Sequence, residues 1–303
     1  MISPFYIRAK SKKIHTVSVQ DVVSTYQAKF DVNVKKYFNG IKELELWRCG
    51  DTGLEWYEPN HCVGDGDFYA EMQKHPWYYK RDKWEFKKTI ELANSEIKVL
   101  EFGCAEGHFL DMAKQYNFET FGVEFNNSAA KVARGKGHKV LEKSEGIEEK
   151  YKGCFDLVCS FQVIEHIANP RDFIWDMVRL TKRSGKIVMS VPNQNSISLV
   201  DKEEGGVLNM PPHHQTRWNE EVFKRLEEIY PIKLVGVYKE PLQKYNTIGY
   251  VVGYFRNKIR NAGFSNLEFL ANKITLWPII VWIRRNGSKK IDGHTILALY
   301  EKD

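Results

Sequence analysis

The sequence predicts an α/β fold in which parallel strands alternate with helices, and three observations carry that expectation. Short apolar runs recur between residues 99 and 193 with helix-like stretches between them, as a sheet with crossover helices requires. The first run, Val99 to Gly107 (V-L-E-F-G-C-A-E-G), breaks into a glycine-punctuated loop and then a helix-like stretch from His108 to Tyr116. That order of strand, loop and helix is where such a sheet holds a nucleoside-bearing ligand. The second run, Phe118 to Phe125, places Glu124 21 residues after Gly103. At that separation the end of the neighbouring parallel strand offers a carboxylate to ribose hydroxyls.

Within the loop, Gly103 and Gly107 supply positive φ or close backbone approach, and Ala105 is small enough to do the same. A dinucleotide loop would read G-x-G-x-x-G, but Ala105 and His108 stand where its second and third glycines belong. S-adenosylmethionine carries a sulfonium and an amino group and no phosphate. A carboxylate at Glu101, the head of the loop, suits that cation and sits poorly beside a pyrophosphate. Lys139 to Leu141 follows as a short third strand, and Ser144-Glu145-Gly146 forms a loop placed to flank the adenine. Phe155 to Ser160 is a fourth strand, leading into Phe161-Gln162-Val163-Ile164-Glu165-His166-Ile167, and Lys186 to Asn193 is a fifth.

The stretches E-F-G-C-A-E-G (101 to 107), G-V-E-F (122 to 125), F-D-L-V-C-S-F-Q-V-I-E-H-I (155 to 167) and G-K-I-V-M-S-V-P-N (185 to 193) together resemble a class I S-adenosylmethionine-dependent methyltransferase. The similarity is to the small-molecule branch that includes the ubiquinone-biosynthesis O-methyltransferases, and it spans about residues 97 to 240 plus the final strand. It implies a Rossmann-like sheet of seven strands with helices on both faces, S-adenosylmethionine as cofactor and S-adenosylhomocysteine as product. By the same resemblance Glu101 and Gly103 face the methionine end, Glu124 the ribose, and Phe161 and Gln162 the inner pocket wall. Ala105, Gly107, Phe125, Ser144 and Glu145 complete the expected cofactor set. Ala105 departs from the glycine commoner in this family, a small change because alanine is also small.

Composition agrees with an enzyme that buries a full core: 303 residues, 43% hydrophobic and 28% charged. The net charge of +6 permits an anionic substrate or surface but is mild for a nucleic-acid binder, so no nucleic-acid partner is expected. Five cysteines (Cys49, Cys62, Cys104, Cys154, Cys159) show no close pairing, which suits reduced thiols and a cytoplasmic protein. The first residues, M-I-S-P-F-Y-I-R-A-K-S-K-K, lack a secretory apolar core and are read as retained.

Residues 1 to 90 read as an extension of their own, ahead of a methyltransferase domain over 91 to 303. Leu44 to Arg48 and Leu54 to Tyr57 alternate as two strands about the turn Cys49-Gly50-Asp51-Thr52-Gly53, giving a ribbon-like hairpin. A zinc ribbon would need a second cysteine where Thr52 stands, and His61-Cys62 lacks an equivalent partner, so no metal is expected. The aromatic stretch Gly64 to Lys88 reads as an apolar face, with Phe68, Tyr69, Met72, Trp77, Trp84 and Phe86 docking on the core and a minority of the rings lining an acceptor pocket.

Methyl transfer to a hydroxyl requires in-line alignment, exclusion of water and removal of a proton. His166 after the fourth strand, and His213 and His214 in N-M-P-P-H-H-Q-T-R-W (209 to 218) after the fifth, are the candidate bases, with the paired loop histidines preferred. Arg217 and Trp218 are then the expected acceptor contacts, a guanidinium for an anionic group and a ring for a sugar face. N-M-P-P-H is similar to the N-P-P-aromatic signature of amino-directed DNA methyltransferases, but that signature follows the fourth strand and this one the fifth.

Ile232 to Tyr238 and His294 to Tyr300 read as the last two strands, separated by an unusually long helical insert over about 241 to 290. It holds Tyr245 to Ile259 and the Trp-bearing run Ile274 to Ile283, with Arg284 and Arg285 next. The run is too short to span a bilayer, which takes about 20 residues. Three placements follow in order: covering the acceptor cleft, packing on a second subunit, or lying on a membrane surface. The functional expectation is O-methylation of a sugar, glycan end or nucleotide-linked sugar. A non-catalytic cofactor-binding module and a nucleic-acid methyltransferase are the alternatives.

Overall fold

In the computed structural model, the described residues are all except 1, 6–9, 76–77, 79–80, 94–95, 142–146 and 202–205. Ser144 and Glu145, expected beside the adenine, and Trp77 lie outside them. Eleven strands are present among the described residues: β1 (Ser11–Ser18), β2 (Glu43–Cys49), β3 (Glu55–Glu58), β4 (Lys98–Phe102), β5 (Glu119–Val123), β6 (Lys139–Leu141), β7 (Phe155–Phe161), β8 (Thr181–Pro192), β9 (Thr216–Arg217), β10 (Ile232–Pro241) and β11 (Asp292–Lys302). The helices are α1 (Val19–Phe30), α2 (Gly66–Gln73), α3 (Trp84–Leu92), α4 (His108–Gln115), α5 (Asn127–Gly135), α6 (Ile147–Tyr151), α7 (Pro170–Leu180), α8 (Gln194–Val200), α9 (Glu220–Arg225), α10 (Thr247–Asn261) and α11 (Trp277–Trp282).

Seven strands form one sheet in the order β10-β11-β8-β7-β4-β5-β6. Strands β6, β5, β4, β7 and β8 run parallel, while β11 is antiparallel to both β8 and β10. Alternation along each strand divides the core. Leu100, Phe102, Phe121, Val158 and Ile187 face one layer, and Val99, Leu157, Cys159, Val188 and Leu297 face the other. β4 lies between β5 and β7, so its carboxyl end and theirs converge at one edge.

The expected hairpin is β2 and β3, but it belongs to a four-stranded sheet, β1-β2-β3-β9. Its last strand comes from the far side of residue 91, so the N-terminal layer is not closed off at that boundary. Phe68 and Met72 pack in this layer's core with Tyr26, Phe38 and Leu44, whereas Phe86 joins the core of the large sheet. Asp65 caps α2 by accepting from the Phe68 N–H.

Arg217 and Trp218 are where this second sheet corrects the sequence reading. Neither contacts an acceptor site. Arg217 is fully buried on β9, donating to the Tyr57 hydroxyl and the Asn209 carbonyl, with its NH1 3.9 Å from Glu55 Oε2. Trp218 packs edge-on against Phe5 and beside Phe223, and its indole N–H donates to Thr216 Oγ1. Both side chains join layers of the fold because the segment after Pro212 becomes a strand instead of an open loop.

The long insert between β10 and β11 is present, with α10 lying on α8 and a small core of Leu242, Val251, Ile280 and Ile283. No helix among the described residues is long and apolar enough to cross a membrane.

Replacing Arg217 leaves the buried Tyr57 hydroxyl and Asn209 carbonyl without their guanidinium donor, while Glu55 keeps its hydrogen bonds from Arg48. Arg217→Ala is expected to lower the free energy of unfolding by about 1–3 kcal/mol. Urea titration measures this, and an unchanged midpoint would show that the arginine does not tie the two sheets together.

Candidate functional site

A cavity of about 450 Å³ opens at the carboxyl edge of β4, β5 and β7, and the N-terminal layer closes its other side. The sheet contributes Glu101, Gly103, Ala105, Glu124, Phe125, Phe161, Gln162 and His166 to its wall, so most of the cofactor set read from sequence meets here. Gly107 sits one step back, at the start of α4.

The loop after β4 is held by its neighbours. Gly103 has φ +72°, and a Cβ there would come within 2.5 Å of Val163 Cγ2, so only glycine fits between the loops after β4 and β7. Ala105 also adopts positive φ, at 45°. Its N–H donates to Glu124 Oε2 at 2.8 Å, while Glu124 Oε1 accepts the Asn126 N–H at 2.7 Å. Glu124 therefore ties the β4 loop to the start of α5 while bordering the cavity. Asn126 then caps α5, accepting from the Ser128 and Ala129 N–H groups.

Glu101 is buried on β4, and burial raises its carboxyl pKa well above the usual range. One of its oxygens has no hydrogen-bond partner among the described residues, although the residue borders the cavity. A buried acid short of a partner fits a cationic ligand, which would both satisfy and ionise it. Phe161 forms the inner wall, with Phe109 at 4.8 Å and Phe86 at 5.1 Å between ring centroids. Gln162 follows at positive φ, its N–H donating to the Ser190 carbonyl and its side-chain nitrogen lacking a partner among the described residues.

The three candidate histidines form one cluster. His166 Nδ1 meets the His213 carbonyl at 2.6 Å, His213 Nδ1 the Leu208 carbonyl at 2.8 Å, and His214 Nδ1 the Asn209 side-chain oxygen at 2.9 Å. A carbonyl only accepts, so each Nδ1 carries the proton and each Nε2 keeps its lone pair. Burial, reinforced by the neighbouring imidazoles, lowers His213 to about 3 and His214 well below the ordinary value. Burial likewise takes His166 to about 4. All three are neutral at pH 7.

Position separates them. His166 borders the cavity; His213 and His214 do not. His213 lies behind the wall residues His166, Tyr69 and Tyr78, the Tyr78 hydroxyl being 2.8 Å from His213 Nε2. His214 edges a different hollow of about 320 Å³ with Ile197, Val200 and His294. The expectation of a general base in the Pro-Pro-His-His loop is thereby corrected: the loop is packed beneath the site. The ligand-capable nitrogens of the three rings lie within 4.8 Å of one another. His213 and His214, however, stack at an interplanar angle of 17°, which sets their lone pairs side by side instead of toward a common point.

Sequence reading missed the residues that the N-terminal layer adds: Asp65, Tyr78 and Lys83, together with Tyr69 as a wall residue. The signal that pointed there was the aromatic density of Gly64 to Lys88, from which a minority of rings was expected to line a pocket. Burial opposes ionisation of Asp65, but hydrogen bonds from Tyr37, the Phe68 N–H and Lys36 outweigh it and bring the carboxyl down to about 2.

A parallel sheet ending in an antiparallel strand slotted beside its edge, with an acid-headed glycine loop after its central strand, defines a class I S-adenosylmethionine-dependent methyltransferase. The methyltransferase domain family matches residues 69–228, and the chain belongs to that family. A ubiquinone biosynthesis O-methyltransferase of Dechloromonas aromatica is 26% identical over 237 residues, covering 72% of this chain and 97% of that protein. Its counterpart from Bradyrhizobium diazoefficiens is 26% identical over 192 residues, 59% of this chain and 74% of that protein. A SAM-dependent methyltransferase structure from Archaeoglobus fulgidus shares the fold at a TM-score of 0.51 and 17% identity, covering 77% of this chain and 100% of that one. The cofactor is S-adenosylmethionine.

Loss of the Glu124 bridge frees the loop that borders the cavity. Glu124→Ala is expected to weaken S-adenosylhomocysteine binding by about 10- to 100-fold in calorimetric titration. Unchanged affinity would remove Glu124 from the site.

Buried Glu165, raised by burial to about 8, gives a pH signature. Its folded pKa lies above the ordinary 4.5, so it favours the fold below that value and the contribution fades as pH rises toward 8. His166 has the opposite sign: its contribution is present above 6.5 and is lost as pH falls toward 4. Glu165→Gln is expected to flatten the alkaline fall in stability between pH 4.5 and 8, read by thermal unfolding across that range. An unaltered slope would show that Glu165 is not held protonated.

Proposed function

We propose that the protein methylates a hydroxyl of a small polar acceptor, such as a sugar, a glycan end or a nucleotide-linked sugar, with His166 as the general base. The observation that carries this reading is the setting of His166. It is the one member of the histidine cluster on the cavity wall, and its Nδ1 proton is committed to the His213 carbonyl. That leaves Nε2 to accept a proton, in a ring already neutral at pH 7. The similarity to ubiquinone biosynthesis O-methyltransferases supports oxygen as the methylated atom. Tyr69, Tyr78, Asp65 and Lys83 support a polyhydroxylated or phosphorylated acceptor, since rings suit a sugar face and the charged groups suit hydroxyl or phosphate oxygens.

S-adenosylmethionine, when bound, supplies a methyl group already activated on a sulfonium. The residues of the chain then have three tasks. Glu101 meets the positive charge at the head of the loop, and Glu124 fixes that loop. Phe86, Phe161 and Phe173 line the cavity with apolar surface and exclude water. His166 Nε2 would take the proton of an acceptor hydroxyl held in the cavity, and the His213 carbonyl, which accepts from Nδ1, would steady the imidazolium that forms.

The test is turnover of labelled cofactor against a panel of monosaccharides and nucleotide-linked sugars. His166→Asn is expected to lower kcat by about 100- to 10,000-fold while leaving S-adenosylhomocysteine affinity within about threefold. Because burial holds His166 at about 4, the acid limb of kcat/KM is expected near that pH and not at 6.5. Full activity in His166→Asn would overturn the base assignment. Cofactor binding without turnover on any acceptor would favour a non-catalytic module.

A further inference from the structure

We infer that the insert between β10 and β11 is a docking surface for an anionic phospholipid membrane. Its charge is the first observation. Residues 241–291 hold nine Lys and Arg against a single acid, Glu268, a net charge of +8. The whole chain carries +6, so everything outside the insert sums to −2. Glu268 is itself taken by Arg260, and Lys258, Lys273, Arg285, Lys289 and Lys290 remain at the surface.

The second observation is apolar exposure on the same element. Nine of the 15 large hydrophobic side chains exposed among the described residues fall between Tyr245 and Trp282. Phe264, Phe269, Leu270, Ile274, Trp277 and Trp282 stand outside while Val251, Ile280 and Ile283 form the insert's own small core. Ile274 is 78% exposed and Trp282 61%. The segment therefore has a core and, in addition, an outward apolar surface ringed by cations. That combination suits an interface of acyl chains and anionic headgroups, with tryptophan at the boundary. A nucleic acid would use the cations and the rings but gives no partner to Ile274 and Leu270.

Topology gives the surface its purpose. β11 is antiparallel to β8 and β10, so the connection from Pro241 to Asp292 leaves and re-enters at the carboxyl edge, the edge that holds the cavity. The insert contributes no residue to the cavity wall among the described residues, which corrects the expectation that it covers the acceptor cleft. It lies instead on α8, with Gly253 against the Val200 carbonyl, and projects beside the site. A membrane bound there brings the cavity to the bilayer surface, where an acceptor carried on a lipid anchor is reached. This last step rests on the methyl-transfer reading, whereas the docking surface does not.

The test is cosedimentation of the full-length protein with vesicles of phosphatidylcholine alone or with phosphatidylglycerol. Binding is expected only to the anionic vesicles and to weaken steeply with salt. The exposed triple variant Phe269→Ser, Ile274→Ser, Trp277→Ser is expected to weaken it at least about tenfold. Arg285→Ala, Lys289→Ala, Lys290→Ala is expected to weaken it about a hundredfold, near fivefold for each cation. S-adenosylhomocysteine titration of both variants is expected to match the unaltered protein, which separates lost docking from a lost fold or cofactor site. No binding to anionic vesicles, or equal binding by both variants, would overturn the inference. So would a dimer in sedimentation equilibrium that the apolar triple variant converts to monomer, which would give the face to a second copy of the chain.

Discussion

The parallel register of β4 between β5 and β7 is the constraint on which the site depends. It sets Glu101 level with Gly122 on one side and Cys159 on the other, and so brings three strand ends to one edge. Everything after that edge is crowded. The loop at Gly103 has room for no side chain because Val163 fills the space, and Glu124 spans the remaining gap with both carboxylate oxygens. Gly122 is part of the same constraint: a Cβ there would lie 2.5 Å from Cys104 Sγ. The pocket is a consequence of strands packed closely enough that only glycine and one well-placed acid can connect their ends.

Behind the cavity the fold accepts a polar interior and satisfies most of it. Three neutral imidazoles each give their Nδ1 proton to an oxygen, and Asn209 serves two neighbours, accepting from His214 and donating to Gln194. Gln215 donates to the Cys62 and Pro212 carbonyls, tying the same loop to the N-terminal layer. Against that background the exceptions stand out. Glu101, Gln162 and Glu165 lie on or just behind the cavity wall and keep side-chain atoms without partners among the described residues, as do Ser160, Ser190 and Gln215 nearby. Buried polar atoms left unsatisfied on a cavity wall are groups that a ligand can complete.

The large sheet and the cofactor side of the site were legible in the sequence because their signals are local. An apolar run, a glycine turn and an acid at a fixed separation each act over a few residues, and β4, β5 and β7 appear where those signals placed them. The N-terminal wall of the cavity was less legible, because it is made by segments distant in sequence. Tyr69, Tyr78 and Lys83 reach the cavity only through the docking of the N-terminal layer, and nothing in their own spacing distinguishes a wall residue from a core residue. Arg217 and Trp218 misled for the same reason: the two-residue strand β9 has too little pattern to announce that it completes another sheet. β1, whose S-K-K-I-H-T-V-S carries polar residues on most positions, was masked by its lysines.

That borrowed strand also sets the order in which the molecule can be finished. Residues 11 to 58 are made well before Thr216 and Arg217, so their sheet lacks its last member until most of the large sheet has been made. The strands that floor the cavity therefore precede in the chain the segment that completes the layer closing its other side.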